Sequence, residues 1–390
     1  MKKTVVIRAP LLSYSGYGVH SRQIFKWLEG RDDINVVTQV VQWGNTTWMI
    51  DPDMENNLVG NIMKRSGMPE NVNHFDVSFQ VQLPDEWDPK LASFNFGVTA
   101  GVETLTCNPS WIESCNKMDA IIVPSEHTKK CLLNTGHISV PLVVIPESFI
   151  EEAGDKNIPP LSLDIDTDFN FLLFGQLTGN NPENDRKNLL YTVKWLCEEF
   201  KNDKSVGIII KTNSGRGTHI DREITSRMIQ SAISQTREGP YPKIHVLHGN
   251  MSSKEVAGLY RRPDVKCMIS LTRGEGFGLP LLEASASGLP VIATNWSGHL
   301  DFMNKGKFIK IDYDLVAIDP SRVDNRIFMK DSMWANPIES DFKNKIRKFR
   351  SKPELPKKWA KDLSKSIKSD FSQASICKKY DLVFKDMIGI

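Results

Sequence analysis

Short runs of β-branched and apolar residues recur along the first 150 residues and predict a series of buried strands. Helical patterns lie between several of them, such as SRQIFKWLEG (21–30) and the shorter WIESCNKM (111–118). Strands that alternate with helices predict a parallel sheet covered on both faces. The strand candidates are TVVIRA (4–9), NVVTQVVQW (35–43), FDVSFQVQ (75–82), DAIIVPS (119–125) and LVVIP (142–146), and another strand precedes FGVTAGVETL.

The alternation stops at EEAGDKNIPPLSLDIDTD (151–168), which is polar, contains prolines and has no period, as is typical of a linker. It restarts with FNFLLFGQ and continues to LPVIAT, with a helix over 219–236, and the last fifty residues look helical. We therefore predict an α/β protein with two doubly wound domains that face a central cleft. The predicted domains are 1–155 and 165–365, followed by a C-terminal helix, 366–390, that packs back toward the N-terminal domain.

Composition is that of a globular protein, with 40% hydrophobic and 25% charged residues and a net charge of +2. No apolar run approaches the roughly 18 residues that span a bilayer, so the sequence predicts no transmembrane segment. The six cysteines are scattered and contain no C-x-x-C pair. That usage favours a reducing, cytoplasmic location and disfavours both a zinc site and a disulfide framework.

The stretch GEGFGLPLLEASASGLPVIAT (274–294) places two carboxylates, Glu275 and Glu283, in apolar surroundings. A buried strand, VKCMISLT, precedes it, and Pro280 suits the first position of a helix that Gly288 ends. Amides at a helix N-terminus bind phosphate, and carboxylates accept hydrogen bonds from paired sugar hydroxyls. The pattern therefore suggests a ligand with both groups, a nucleotide-linked sugar. The alternative is a buried turn with two solvated acids, because the spacing alone is a weak signal.

The whole string GEGFGLPLLEASASGLPVIATNWSG resembles the E-x7-E region of group 1 glycosyltransferases. WIESCNKMDAIIVPSEHTKKCLLNTG and VVIPES resemble the same family more loosely. These relatives are retaining enzymes with the GT-B fold, which has two Rossmann-like domains, and they use nucleotide-diphosphate sugars without another cofactor. The resemblance implies that Glu283 binds the donor ribose and that Glu275 faces the donor sugar as a catalytic group. Donor sugar or diphosphate would lie on the loop of Gly276, Phe277, Gly278 and Leu279.

The family usually carries an arginine directly after the glycine that ends the first strand of the donor domain, but this chain has Gln176 there. A leaving nucleoside diphosphate needs cations, because negative charge develops on it. Lys187, in an R-K-N context, fits the family's phosphate-binding lysine and is our catalytic cation candidate. Arg186 and Lys211 are further donor-binding candidates. For each lysine the alternative is a solvated surface charge.

The loop RAPLLSYSGYGVHSRQIF contains Gly16 and Gly18, which allow backbone to approach a ligand closely. A dinucleotide-binding motif would have a third glycine at Ser21, so an NAD site is disfavoured. The resemblance implies that this loop lies under the donor phosphates or the acceptor, with His20 on the acceptor side. Many relatives have a histidine near FGVTAGVETL, where this chain has none, and Glu103 is our catalytic candidate there. The alternatives are a helix-end polar residue for His20 and a helix-entry acid for Glu103.

Residues 341–370 carry eleven Lys or Arg and four acids, a local net charge of +7. Such a segment is either a solvated helix face or a contact for an anionic surface, membrane or nucleic acid. Residues 1–150, which would bind the acceptor, have twelve Lys or Arg and sixteen acids, a net charge of −4. The acceptor therefore stays open between a glycan, a small molecule and modified DNA. The chain also resembles compact phage-type members, some of which glycosylate hydroxymethylated DNA bases.

We expect a hexosyl- or pentosyltransferase that needs no metal. D-x-D occurs at 51–53, 164–166, 166–168 and 312–314, mostly in polar loops, and we interpret all four as incidental. Two other functions stay open, a GT-B nucleotide-sugar epimerase and a non-catalytic protein that binds a sugar nucleotide or nucleic acid. Gln176 and the missing histidine keep the last of these open.

Overall fold

The computed structural model describes residues 2–67, 74–179 and 181–389. The chain divides into two compact units by its internal contacts. The first comprises 1–148 together with 373–390, and the second comprises 149–372. Each unit is built around one parallel six-stranded sheet.

The first unit alternates strands and helices along the chain. Its elements up to residue 148 are β1 (Lys3–Ala9), α1 (Gly16–Glu29), β2 (Ile34–Val40), α2 (Met54–Lys64), β3 (Phe75–Val81), β4 (Ala92–Val98), α3 (Pro109–Cys115), β5 (Ala120–Val123), α4 (Glu126–Thr135) and β6 (Leu142–Val144). The strand order is β2-β1-β3-β4-β5-β6, with every neighbouring pair parallel. Val5 and Ile7 of β1 pack in one core and Val6 in another, so both faces of the sheet are covered.

The second unit repeats this alternation and adds a hairpin and a helical end. Its elements are α5 (Glu151–Gly154), β7 (Phe169–Phe174), α6 (Leu189–Glu199), β8 (Val206–Thr212), α7 (His219–Thr236), β9 (Lys243–His248), α8 (Ser253–Tyr260), β10 (Val265–Ser270), α9 (Leu279–Ala286), β11 (Val291–Thr294), α10 (Leu300–Met303), β12 (Ile309–Ile311), β13 (Tyr313–Ala317), β14 (Met333–Pro337), α11 (Glu339–Ser351) and α12 (Glu354–Asp370). Strands β13 and β14 pair antiparallel and form a separate two-stranded sheet.

The second sheet has the order β12-β11-β10-β7-β8-β9, and its strand pairs are parallel. The chain starts in the middle at β7, runs outward through β8 and β9, and returns to the other side of β7 at β10. Ligands bind beyond the carboxyl ends of the strands at such a switch point. The loops that follow β7 and β10, residues 175–188 and 271–278, therefore flank the expected binding crevice of this unit.

The last helix, α13 (Gln373–Ile388), lies against the first unit. Its buried residues Ile376, Tyr380 and Phe384 belong to the same core as Trp27 and Phe79. Tyr380 stacks on Trp27 with ring centroids 4.9 Å apart. None of the described helices combines the length and the apolar character that crossing a membrane requires.

The prediction of two parallel α/β sheets is confirmed. The helix predicted over 219–236 is α7, and the linker prediction at 151–168 falls on the short α5 and an irregular stretch up to β7. The pattern of apolar residues did not predict α2 or the β13–β14 hairpin. These elements are short or lack a strict apolar period, so local pattern carries little signal for them.

Candidate functional site

The loop GEGFG leaves the carboxyl end of β10 and leads into α9. It is buried throughout residues 274–278, although it carries a carboxylate. Gly278 is the N-cap of α9 and has φ +102°, a conformation that favours glycine. The first N–H groups of a helix have no partner within the helix. The amides of Phe277, Gly278 and Leu279, at the start of this helix, are therefore the candidates for an anion site.

Glu275 pairs with Lys187, the cation candidate in the loop that follows β7. Its two carboxylate oxygens lie 2.6 and 2.8 Å from Lys187 Nζ, and one of them lies 3.8 Å from Arg186 Nη1. Glu275 is only 7% exposed. Burial by itself would raise the pKa of Glu275, but Lys187 and Arg186 outweigh it and hold the pKa below the usual value. Glu275 is therefore ionised at neutral pH, between two cations.

The loop before α6 is folded around a buried aspartate. Asp185 accepts hydrogen bonds from the N–H and hydroxyl of Thr178, at 3.1 and 2.7 Å, and from Leu189 N–H at 2.7 Å. These bonds close the loop and start α6. They fix the backbone of Arg186 and Lys187, which follow Asp185 directly.

Arg273, which the sequence analysis did not select, joins the two loops. Its guanidinium donates to the carbonyl oxygens of Pro182, Glu183 and Asp185 and lies over the Trp334 ring at 5.3 Å. Its own N–H donates to the carbonyl of Arg186 at 2.8 Å. The only signal in the sequence is its place directly before GEGFG.

Ser297 and His299 support Glu275 from the loop after β11. Ser297 has φ +88°, a strained value for a residue with a side chain. Its hydroxyl accepts the Glu275 N–H at 2.9 Å. His299 is fully buried and donates from Nε2 to the Thr294 carbonyl at 2.8 Å. Burial lowers the pKa of His299, so its ring is neutral at pH 7. Only the S-G motif of the family resemblance hinted at this loop.

Glu283 lies inside α9 and is buried. It accepts a hydrogen bond from the hydroxyl of Tyr260 at 3.2 Å. Burial raises the pKa of Glu283 to about 8. The two glutamates of the E-x7-E pair therefore differ in protonation at neutral pH, where Glu275 is ionised and Glu283 is protonated. Tyr260, at the end of α8, had no signal in the sequence.

Lys211 is the last residue but one of β8, which lies two strands away from β10. Its ammonium donates to the carbonyl oxygens of Thr212 and Gly249 and lies 5.8 Å from the Phe174 ring centroid. Burial lowers the pKa of Lys211 to about 8. The predicted role as a donor cation stays a prediction, and the side chain is buried rather than a solvated surface charge.

The two glycines of the N-terminal loop differ in their surroundings. Gly16 is exposed at the start of α1, and a Cβ there would meet nothing within 4 Å. A Cβ at Gly18 would lie 2.1 Å from the Ser13 carbonyl oxygen. The glycine at 18 is thus required by the packing of its own loop, which explains it without a ligand. Contact of either residue with a donor stays a prediction.

His20 lies in the core of the first unit. It is 3% exposed, and its Nε2 lies 3.3 Å from the hydroxyl of Tyr380 on α13. Burial lowers the pKa of His20 to about 4. Its surroundings are those of a core residue, which neither the predicted acceptor contact nor the helix-end alternative anticipated, and an acceptor contact stays a prediction. Glu103 is half-buried in the loop after β4, six residues before α3 begins, and its catalytic role stays a prediction.

The basic segment 341–370 is partly neutralised by acids from elsewhere in the second unit. On α11, Lys343 pairs with Glu198 at 2.6 Å and Arg347 with Glu199 at 2.7 Å. Lys358 and Lys361 on α12 are exposed. The local charge of +7 therefore overstates the positive surface of α11, and an anionic contact through this segment stays a prediction.

No group of three or more His, Cys, Asp or Glu is placed to hold a metal ion within residues 2–67, 74–179 and 181–389.

Residues 235–320, which include both glutamates, match the sequence profile of a family described as Glycosyl transferases group 1. No curated protein matches the chain. In structure the chain is similar to a glycosyltransferase from Rickettsia africae ESF-5, with a TM-score of 0.65, 16% identity and 99% of both chains covered. It is also similar to the sucrose-phosphate synthase of Thermosynechococcus elongatus, with a TM-score of 0.64, 12% identity and full coverage of both chains.

A third similar structure is Anabaena HepE in complex with UDP and glucose, with a TM-score of 0.63 and 12% identity. It covers 98% of this chain and 99% of the Anabaena chain. At these identities the likeness establishes the fold, and the GT-B prediction is confirmed. The profile match and the fold together support a group 1 glycosyltransferase.

Proposed function

We propose that this protein is a retaining glycosyltransferase that moves a sugar from a nucleotide-diphosphate donor to an acceptor hydroxyl. The observation that carries the proposal is the Lys187–Glu275 pair at the β7/β10 switch point, beside the amides at the start of α9. A donor sugar and diphosphate need these two kinds of group, a carboxylate for the sugar and cations with amides for the phosphates. The opposite charges of Lys187 and Arg186 also explain why Glu275 is buried yet ionised.

In this mechanism the bond between the sugar carbon and the diphosphate oxygen breaks, and a bond to the acceptor oxygen forms on the same face. The acceptor proton passes to the leaving diphosphate. Lys187 and Arg186 stabilise the charge that grows on the leaving group, and Glu275 stabilises the positive charge on the sugar. Glu283 accepts hydrogen bonds from the donor ribose.

The test is release of nucleoside diphosphate from a panel of UDP-, GDP- and ADP-sugars, followed by NMR of the product anomer. We expect one donor to be cleaved, with retained configuration. Glu275→Gln should lower the rate by about 10²- to 10³-fold, the usual loss for one electrostatic group. Glu283→Ala should mainly weaken donor binding. Glu238→Gln, at an acid that is 81% exposed in side chain, is the matched control.

An inverted anomer would refute retention, and release that both glutamate variants leave unchanged would refute the site. A second candidate is a non-catalytic protein that binds a sugar nucleotide, favoured by the exposed Gln176 at the usual arginine position. Thermal stabilisation by a nucleotide sugar without any release or transfer would support that candidate instead.

A further inference from the structure

The loop after β2, residues 41–53, carries aromatic side chains at the carboxyl edge of the first sheet; we call it the aromatic loop. Trp43 stacks on Tyr17 of α1, with ring centroids 4.0 Å apart and an interplanar angle of 23°. Trp48 is 37% exposed and Ile50 is 77% exposed. Large apolar groups exposed together on a loop at the ligand-binding edge of a parallel sheet indicate a binding surface.

The aromatic loop is held by the loop that follows β1. The N–H of Met49 donates to the Leu12 carbonyl at 2.7 Å, and the N–H of Tyr14 donates to the Thr47 carbonyl at 3.1 Å. Ser13 and Thr46 join through their hydroxyls at 2.7 Å. A surface held in this way loses little conformational entropy when a ligand binds.

Tyr17 is fixed in turn by the loop after β4. Its hydroxyl lies 3.0 Å from Thr99 Oγ1 and accepts the Ala100 N–H at 3.0 Å. The ring that supports Trp43 is therefore anchored at its far end. Glu103, our catalytic candidate in this unit, follows three residues after Ala100 on that loop.

Charge decides what the aromatic loop can bind. Between Arg31 and Lys64 the sequence has no Lys, Arg or His, and it has five acids at 32, 33, 51, 53 and 55. Asp33 pairs with Arg31 and Glu55 with Arg22, so Asp51 and Asp53 are the acids that set the charge of the loop itself. Carboxylates repel nucleic-acid phosphates and anionic lipid headgroups. They accept hydrogen bonds from hydroxyl groups. A pyranose ring has a face of C–H groups that packs on an aromatic face and a rim of hydroxyls that such acceptors bind.

We propose that the aromatic loop binds a sugar ring of an uncharged glycan, which serves as the acceptor. This inference rests on the proposed function and narrows its acceptor to a neutral saccharide. It also sets aside the DNA alternative, because a polyanion would meet the carboxylates of Asp51 and Asp53 in the loop.

The test is isothermal titration of the full chain with maltotriose, cellotriose and chitotriose, and with a ten-residue oligothymidylate. We expect at least one trisaccharide to bind and the oligonucleotide not to bind. Trp43→Ala and Trp48→Ala should each weaken saccharide binding at least about tenfold, a loss of about 1.4 kcal/mol. Trp48→Phe, which keeps an aromatic face, should retain most of the affinity.

Leu133→Ala is the control, since Leu133 is an apolar residue on α4 that is 48% exposed. Near-ultraviolet circular dichroism of each variant reports whether it folds. The proposal is overturned if no trisaccharide binds, if both alanine variants bind as the wild type does, or if the oligonucleotide binds through these tryptophans. Donor cleavage by the wild type is measured separately, so failure of the proposed function shows as absent nucleoside diphosphate release.

Discussion

Glu283 is a carboxylic acid that burial keeps protonated at neutral pH, and this makes stability depend on pH. Its pKa is about 8 in the folded protein, against about 4.5 for a glutamate in the unfolded chain. Between these two values the unfolded chain has lost the proton and the folded chain retains it, so stability falls as pH rises. As pH rises from about 4.5 to about 8, we expect the free energy of unfolding of the wild type to fall by up to about 5 kcal/mol relative to that of Glu283→Gln. Urea unfolding at several pH values measures the difference, and a constant difference from pH 5 to 8 would contradict it.

Lys187 neutralises a buried carboxylate and, in the proposed mechanism, binds the leaving diphosphate. Lys187→Ala should destabilise the protein by about 3 kcal/mol, because it removes the closest cation from Glu275. It should also lower diphosphate release by about 10²-fold or more. Lys187→Arg should recover part of both losses. Lys194→Ala, at an exposed lysine on α6, is the control, and equal effects at 187 and 194 would show that Lys187 has no special role.

The sequence alone could indicate Glu275, Glu283, Arg186 and Lys187, because each lies in a short contiguous motif, GEGFGLPLLE or R-K-N. It could not select Arg273 or Tyr260. The bonds of Arg273 reach carbonyl groups about ninety positions earlier in the chain, and Tyr260 meets Glu283 from a different helix. Such pairings arise only when the sheet brings separate loops to one edge.

Arg273 holds the loop before α6 in place through its hydrogen bonds to three carbonyl groups of that loop. Arg273→Lys keeps the charge but loses the planar fork that donates to three carbonyl groups. We expect faster hydrogen exchange across residues 181–188, a raised donor KM and a stability loss of about 2–4 kcal/mol. Arg347→Ala, at a half-exposed arginine on α11, should leave exchange in that loop unchanged. Wild-type exchange in Arg273→Lys would refute the anchoring role.

Helices α11 and α12 have similar basic sequences but different surroundings. Lys343 on α11 lies between Glu198 and Glu339, at 2.6 and 2.5 Å, whereas Lys361 on α12 is exposed. Lys343→Glu brings like charges together and should cost about 2 kcal/mol, while Lys361→Glu should change stability by less than about 0.5 kcal/mol. Urea unfolding compares the two, and equal losses would contradict this assignment of the charges.

The two parallel sheets could be predicted because strands buried on both faces are continuous apolar runs in the sequence. The surface charge of the basic segment was harder to predict from the sequence. The count of +7 over 341–370 ignored Glu198 and Glu199, which pair with α11 from about 145 positions earlier. The β13–β14 hairpin escaped prediction because Tyr313–Ala317 has no clear alternation of buried and exposed residues.

At the scale of the whole molecule, the chain returns to its first unit through α13. Phe384 is buried there, with its ring centroid 5.4 Å from that of Trp27 and 6.1 Å from that of Phe79. Phe384→Ala should cost about 3–5 kcal/mol, as large-to-small changes in a core do. Leu382→Ala, on the same helix but 64% exposed, should cost less than about 0.5 kcal/mol.

Hydrogen exchange can localise that loss, because the side chains around Phe384 all belong to the first unit. Peptides from 2–67 and 74–148 should exchange faster in Phe384→Ala, and peptides from 149–372 should be affected much less. That outcome would show that α13 stabilises the first unit as well as packing against its core. A uniform increase across both units would instead mean that the whole chain opens in one step, and α13 would then stabilise the molecule as a single cooperative unit.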